Sequence, residues 1–239
     1  MTGAVADPRI ARGMTTQLAL RRTRLDAGEK ARGWKVGFGA PAAMERLALT
    51  APLVGFLTDR ALVTPGSSVS LAHWSKPVAE PEIAVYLGRD LPGGADRAAT
   101  EAAIAGLGPA IELADVDRQP DDVESILAGN IYQRSLVLGR CDTARAGGKR
   151  EGLLARVIRN GSEVARTSDL QALTGEMIDI VRHVANVLAV CGERLRAGEL
   201  IITGSIVPPL WVLHGEELVF ALDPIGSVAI RFEPKETTA

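Results

Sequence analysis

Glu80 and Glu82 stand two residues apart in Glu80-Pro81-Glu82-Ile83-Ala84, a segment that reads as a β-strand. Residues at i and i+2 of an extended chain share a face, so both carboxylates project to one side. Pro81 between them withholds an amide donor, which suits the start or edge of a strand. A third carboxylate, Glu112, sits between the apolar runs Pro109-Ala110-Ile111 and Leu113-Ala114. An isolated acid in such a strand costs free energy unless it finds a partner. Three carboxylates converging on one point repel one another unless a cation lies among them. An all-oxygen donor set suits Mg²⁺ or Mn²⁺, with other octahedral positions left for water and substrate. The competing reading, a solvated strand face, fits Glu80 and Glu82 better than it fits Glu112.

Lys35 is the other candidate. It lies inside Gly33-Trp34-Lys35-Val36-Gly37, where apolar and glycine neighbours would take an ammonium partly out of water. That environment suits a lysine to proton transfer. The alternative is a surface lysine snorkelling from a strand end. His73, His183 and His214 show no metal-ligand spacing, and Cys141 and Cys191 form no CxxC or disulfide framework.

The elements that must position these groups are legible in outline. A helix ending near Gly28 carries Met14, Leu18 and Leu25 on one face, with Arg21, Arg22 and Arg24 off it. Short apolar runs broken by Gly and Pro from Trp34 to Val69 read as strands and turns. Glu82–Leu87 alternates with period two and predicts a strand; Ala98–Leu107 predicts a helix and Pro109–Leu113 a buried strand. Asn160-Gly161 predicts a tight hairpin. The spacing of Met177, Ile180, Val181, Val184, Val187, Leu188 and Cys191 predicts a helix over 176–191, with Thr174 as its cap and Gly192 as its stop. Further apolar runs at 200–203, 218–222 and 228–232 continue the β text. The fold class is α+β, a mixed β-sheet with flanking helices. Residues 1–239 read as a single catalytic domain, with 1–32 a short N-terminal helical segment.

Composition narrows the partners. At 46% hydrophobic and 23% charged the chain is an ordinary globular sequence, and a net charge of −2 gives no general attraction to nucleic acid or an anionic membrane. No apolar run approaches the roughly 18 residues that a membrane helix needs. Met1–Asp7 lacks the basic and apolar regions of a secretory leader, and with the cysteine usage this points to a cytoplasmic location.

Several segments together resemble a known family. Gly-Trp-Lys-Val-Gly (33–37), Pro-Leu-Val-Gly-Phe-Leu-Thr-Asp (52–59), Glu-Pro-Glu-Ile-Ala (80–84), Gly-Pro-Ala-Ile-Glu (108–112), Gly-Glu-Leu-Ile-Ile-Thr-Gly-Ser (198–205) and Ile-Gly-Ser-Val-Ala-Ile-Arg-Phe (225–232) occur in the order seen in 2-keto-4-pentenoate hydratases and 4-oxalocrotonate decarboxylases. These form a branch of the fumarylacetoacetate-hydrolase-like superfamily. The resemblance spans about residues 33 to 232. It implies a mixed β roll like the C-terminal domain of fumarylacetoacetate hydrolase. It further implies Glu80, Glu82 and Glu112 as ligands of Mg²⁺ or Mn²⁺, Lys35 as the active-site lysine, and Thr203, Gly204 and Ser205 as the loop beside the substrate carboxylate. The activity implied is that of a metal-dependent lyase on 2-oxo or 2-hydroxydienoic acids of aromatic meta-cleavage, and the assembly a homo-oligomer, with a complex with a neighbouring pathway enzyme left open.

Two departures bear on the reaction. Hydratases of this family carry Asp after the proline of the 52–59 segment, where this chain has Leu53; decarboxylases are apolar there. The resemblance thus sets Leu53 beside the substrate and favours decarboxylation of a 2-oxo diacid over hydration. A Leu-Gly-His-Pro run typical of both branches is replaced by Leu173-Thr174-Gly175-Glu176. Acylpyruvate C–C hydrolysis, or a non-catalytic subunit beside a hydratase, are the alternatives. Gly37-Phe38-Gly39-Ala40-Pro41-Ala42 also matches a dinucleotide fingerprint, but Pro41 and Pro52 leave little room for the helix it requires.

Overall fold

The computed structural model describes residues 6–235. The leader reading of Met1–Asp7 falls largely on residues 1–5, outside that range. Helices are α1 (Pro8–Asp26), α2 (Pro41–Leu47), α3 (Arg97–Ala103), α4 (Val123–Ala128) and α5 (Met177–Val190). Strands are β1 (Ala31–Gly37), β2 (Leu53–Thr58), β3 (Leu62–Val63), β4 (Ser68–Val69), β5 (Pro77–Leu87), β6 (Ile104–Asp115), β7 (Gln133–Leu138), β8 (Leu154–Arg159), β9 (Ser162–Thr167), β10 (Leu200–Ser205), β11 (Leu210–Trp211), β12 (Glu217–Asp223) and β13 (Gly226–Phe232).

The larger sheet has the order β2-β1-β10-β5-β6-β7-β3, with β11 added beside β5. The pairs β1–β10 and β3–β7 are parallel and the other pairs along that order antiparallel, so the sheet is mixed. Its two ends, β2 and β3, are joined only by the turn Asp59–Ala61. So short a link forces the sheet to curl back on itself, which makes it a roll. A second sheet, β4-β13-β12-β8-β9, stacks on β6 and β7. Asn160 and Gly161, both at positive φ, turn β8 into β9 as the Asn-Gly pair predicts. This is the α+β mixed-sheet roll with flanking helices that the residue pattern and the resemblance led us to expect.

The helices cover the outside of the roll. Asp7 caps α1 by accepting from the Arg9 amide, and Pro8 opens it. Ile10, Met14, Gln17, Leu18 and Arg21 form its buried stripe. The buried face of α5 runs from Met177 to Leu188 as the period predicted, but its cap is Glu176, which accepts from the Asp179 amide, rather than Thr174. The inner face of the roll holds a separate apolar cluster that includes Leu57, Ala84, Ala110, Leu136 and Ile202.

Three local expectations are corrected. The helix predicted at 98–107 stops at Ala103, because Ile104–Leu107 pairs with β5 and the following Gly-Pro text cannot continue a helix. Arg21 lies on the buried stripe, not off it, with its guanidinium 4.8 Å above the Trp34 ring and its charge met by Glu193. A helix does follow the glycine-rich 37–42 segment, with Pro41 at its first position, but the chain then returns antiparallel to β1. A dinucleotide fold needs a parallel return, so that reading fails.

Candidate active site

Pairing of β5 with β6 sets the carboxylates together. Glu80 lies directly across from Glu112, and Glu82, two residues along, shares their face. One oxygen from each of Glu80, Glu82 and Glu112 lies within 4.8 Å of the others. Glu82 and Glu112 are 1% and 0% exposed, whereas Glu80 is half-buried and opens onto a cavity. Burial and the neighbouring Glu112 charge push the Glu80 carboxyl up to about 7. Burial, then repulsion from Glu112 and Glu80, holds Glu82 well above the usual carboxylate range. Glu112 is raised by burial, against the opposing pull of the Lys35 ammonium.

Glu112 Oε2 is buried with no hydrogen-bond partner among the described residues. Native interiors rarely leave such an oxygen unsatisfied. Clustered carboxylates and an orphaned oxygen fit a hard divalent cation, which would satisfy the lone pair and relieve the repulsion. Glu82 is aimed by the Gly204 amide, which donates to its Oε2 at 2.7 Å. Gly204 has φ 95, a conformation glycine adopts without strain.

These raised carboxyls set a pH dependence of stability. A carboxylate whose folded pKa is raised binds more protons in the native state than in the unfolded chain, where the value is about 4.3. The metal-free protein is therefore more stable near pH 5 than near pH 8, and stability falls as pH rises through about 7, the Glu80 value. Divalent metal should raise Tm most at pH 8, where proton competition is least. Thermal melts in chelator and in Mg²⁺ check this; an unchanged pH slope in Glu80→Gln would contradict it.

Lys35 is 1% exposed in the middle of β1, not at a strand end. Its Nζ donates to Glu112 Oε1 and, at 3.1 Å, to the Ile131 carbonyl. That carbonyl is delivered by Asn130-Ile131-Tyr132, which all have φ between 50 and 60 within a few degrees (57, 52 and 60). For a β-branched residue such as Ile131 this is a true outlier. Asn130 is 1% exposed and pins the turn: its amide donates to the Phe56 carbonyl and its Oδ1 accepts from the Phe56 amide, each at 2.9 Å. The local signal for Asn130 is a residue tolerant of left-handed backbone following Gly129.

Gly55 lies across from Lys35 in the β1–β2 register. A Cβ there would meet Lys35 Cγ at 2.8 Å and Asn130 Oδ1 at 2.9 Å. Gly55→Ala is expected to destabilise by about 1–3 kcal/mol, the usual scale of overpacking, and to displace the Lys35 stem. Urea unfolding alongside metal-dependent turnover measures both effects.

The cavity has a volume of about 570 Å³. Lys35 and Glu80 reach its wall, with Glu82 and Glu112 behind them. Thr203, Gly204 and Ser205 also line it, although the Thr203 hydroxyl already donates to the Ile83 carbonyl and that of Ser205 to Val207. Most of the remaining wall is apolar, including Val78, Val116, Val207 and Trp211. Leu53 is not on this wall. It is 1% exposed and belongs to the hydrophobic core, so the expectation that it faces substrate is corrected. Its backbone pairs with Gly37 at the start of β2, which turns the side chain into the packed layer. His183, on α5, meets the Pro52 carbonyl at 2.8 Å and is held below its ordinary pKa by burial, as a satisfied structural histidine. Arg118 forms an exposed ion pair with Asp117.

A curled mixed sheet gathers three convergent carboxylates, two of them buried, beside a lysine, and so forms a β roll around a candidate cation site. The chain belongs to the fumarylacetoacetate (FAA) hydrolase C-terminal family, whose sequence profile matches residues 28–233. It is 30% identical over 222 residues to a 4-oxalocrotonate decarboxylase of Pseudomonas putida, covering 91% of this chain and 83% of that one. It is 29% identical over 220 residues to a 2-hydroxyhexa-2,4-dienoate hydratase of Comamonas testosteroni, covering 90% and 83%. A crystal structure of 4-oxalocrotonate decarboxylase from Pseudomonas putida G7, complexed with magnesium and adipate, superposes with a TM-score of 0.85 at 28% identity, covering 97% of this chain and 90% of that one. No described helix is long and apolar enough to cross a membrane.

Proposed function

We propose that the protein is a divalent-metal-dependent lyase acting on 2-oxo or 2-hydroxydienoic acids, with decarboxylation of a 2-oxo diacid as its reaction. The observation that carries this reading is the buried Glu80–Glu82–Glu112 cluster beside Lys35 on the wall of a largely apolar cavity. Similarity to a decarboxylase and a hydratase of such acids supports the substrate class. Glu80, Glu82 and Glu112 would hold the cation, Mg²⁺ or Mn²⁺ being the ions that an all-oxygen site prefers. When bound, the cation supplies Lewis-acid polarisation of the substrate carboxylate and 2-oxo oxygens.

The chain's own residues account for the rest. The Gly204 amide fixes Glu82, and the Asn130 turn fixes the carbonyl that orients Lys35 Nζ. In decarboxylation the bond from the distal carboxylate to its neighbouring carbon breaks and its electron pair enters the conjugated 2-oxo system. The 2-oxygen then takes a proton, which Lys35 Nζ supplies. Hydration needs in addition a base to activate water. Among the described wall residues Glu80 is the one carboxylate and no histidine is present, so the wall offers no base beyond the cluster and Lys35. This takes over the preference for decarboxylation from Leu53, which lies in the core. The test is to supply 4-oxalocrotonate and 2-hydroxypenta-2,4-dienoate separately with Mg²⁺. CO₂ from the first with slow loss of the second supports the reading; rapid hydration of the dienoate without CO₂ from the diacid overturns it.

A further inference from the structure

Three charged residues line the cavity among the described residues: Lys35, Glu80 and Arg46. Lys35 is committed to Glu112, and Glu80 belongs to the carboxylate cluster. Arg46 differs from both. It sits in the last turn of α2, exposed at the cavity, and forms no ion pair among the described residues. Arginines of the neighbouring loop and strand are already matched, Arg118 with Asp117 and Arg134 with Asp115 and Asp117. Its charge is felt by the phenol of Tyr132, another wall residue, whose hydroxyl is tied to the Arg118 and Gln119 carbonyls.

Much of the rest of the wall is apolar, with Val36, Phe38, Ala43 and Ile131 among its residues. A ligand chelated at the carboxylate cluster would share this cavity with an unmatched guanidinium. Guanidinium recognises carboxylate by paired N–H donors, and does so with geometric selectivity.

We propose that Arg46 binds the far carboxylate of a dianionic substrate and so selects diacids over monoacids of the same chain length. The assignment rests on the 2-oxo acid reading of the site. The far carboxylate is the group lost as CO₂, so a guanidinium that holds its charge lowers KM and opposes its release; removing Arg46 should raise KM without lowering kcat. The bland role, a helix-terminal cation facing the α2 carbonyls, would give no ligand preference at all.

Two saturated analogues that cannot react separate these roles. 2-Oxoadipate and 2-oxohexanoate share a chelating end and a chain length; only the first has a second carboxylate. Calorimetry with Mg²⁺-loaded protein is expected to show a preference for 2-oxoadipate that shrinks about three- to tenfold in Arg46→Gln, the scale of an exposed carboxylate–guanidinium pair. Arg46→Lys should keep part of it, 2-oxohexanoate should bind all three proteins alike, and added salt should erode the wild-type preference. An undiminished preference in Arg46→Gln, or equal weakening of both analogues, would overturn the proposal. Failure of both analogues to bind the wild type would instead overturn the 2-oxo acid reading, and the Arg46 assignment with it.

Discussion

Replacing Lys35 by Met is expected to lower kcat by about 10²- to 10⁴-fold, the range for loss of a positioned proton donor or acceptor. The methionine keeps most of the apolar stem, so the packing against Gly55 is retained. What disappears is the ammonium that donates to Glu112 and to the Ile131 carbonyl. The variant also removes one member of a buried ion pair whose side chains are 2% and 0% exposed. Breaking such a pair is strongly destabilising when the remaining charge finds no other partner. In metal-free protein the melting temperature should therefore fall, and Mg²⁺ should restore much of it by neutralising Glu112. Turnover with saturating Mg²⁺ then isolates the proton-transfer role from the structural one. Full activity in Lys35→Met under those conditions would reduce Lys35 to a counter-ion.

Replacing Glu82 by Gln is expected to weaken divalent-metal binding by more than about 100-fold, since loss of even a partner that merely orients a ligand costs 10- to 100-fold. Glutamine keeps the side-chain shape and an oxygen that can accept from the Gly204 amide. It removes one negative charge from a cluster in which burial and like charges already disfavour ionisation. The metal-free variant should thus be at least as stable as the wild type above pH 7, while its affinity for Mg²⁺ collapses. Calorimetric titration with Mg²⁺ reads the affinity, and thermal melts read the fold. Wild-type affinity in Glu82→Gln would remove Glu82 from the site.

The parts of this account that were legible in the sequence are those written locally. Period two put Glu80 and Glu82 on one face, and the apolar surroundings of Glu112 marked an acid that needed a partner. Strand pairing is a long-range matter, so the register that sets Glu80 against Glu112 could only be inferred by resemblance. Lys35 and its partial desolvation were legible, but the depth of its burial was not, because the void that admits it is the missing Cβ of Gly55 on the next strand. The role of Asn130 is hidden in the same way: it bonds Phe56, far away in sequence. Leu53 misled because an apolar residue beside a motif proline reads equally well as a cavity wall or as core, and one strand face decides between them. The helix at 97–103 was overextended because alanine-rich text favours helix until tertiary pairing with β5 overrides it.

The most direct test of the central claim is CO₂ release from 4-oxalocrotonate by protein stripped with chelator and then titrated with Mg²⁺. The cluster of Glu80, Glu82 and Glu112 predicts no catalysed release from the stripped protein, and activity that saturates with one Mg²⁺ per chain. Equal release with and without metal, or metal-saturated protein that leaves the diacid untouched, would contradict it.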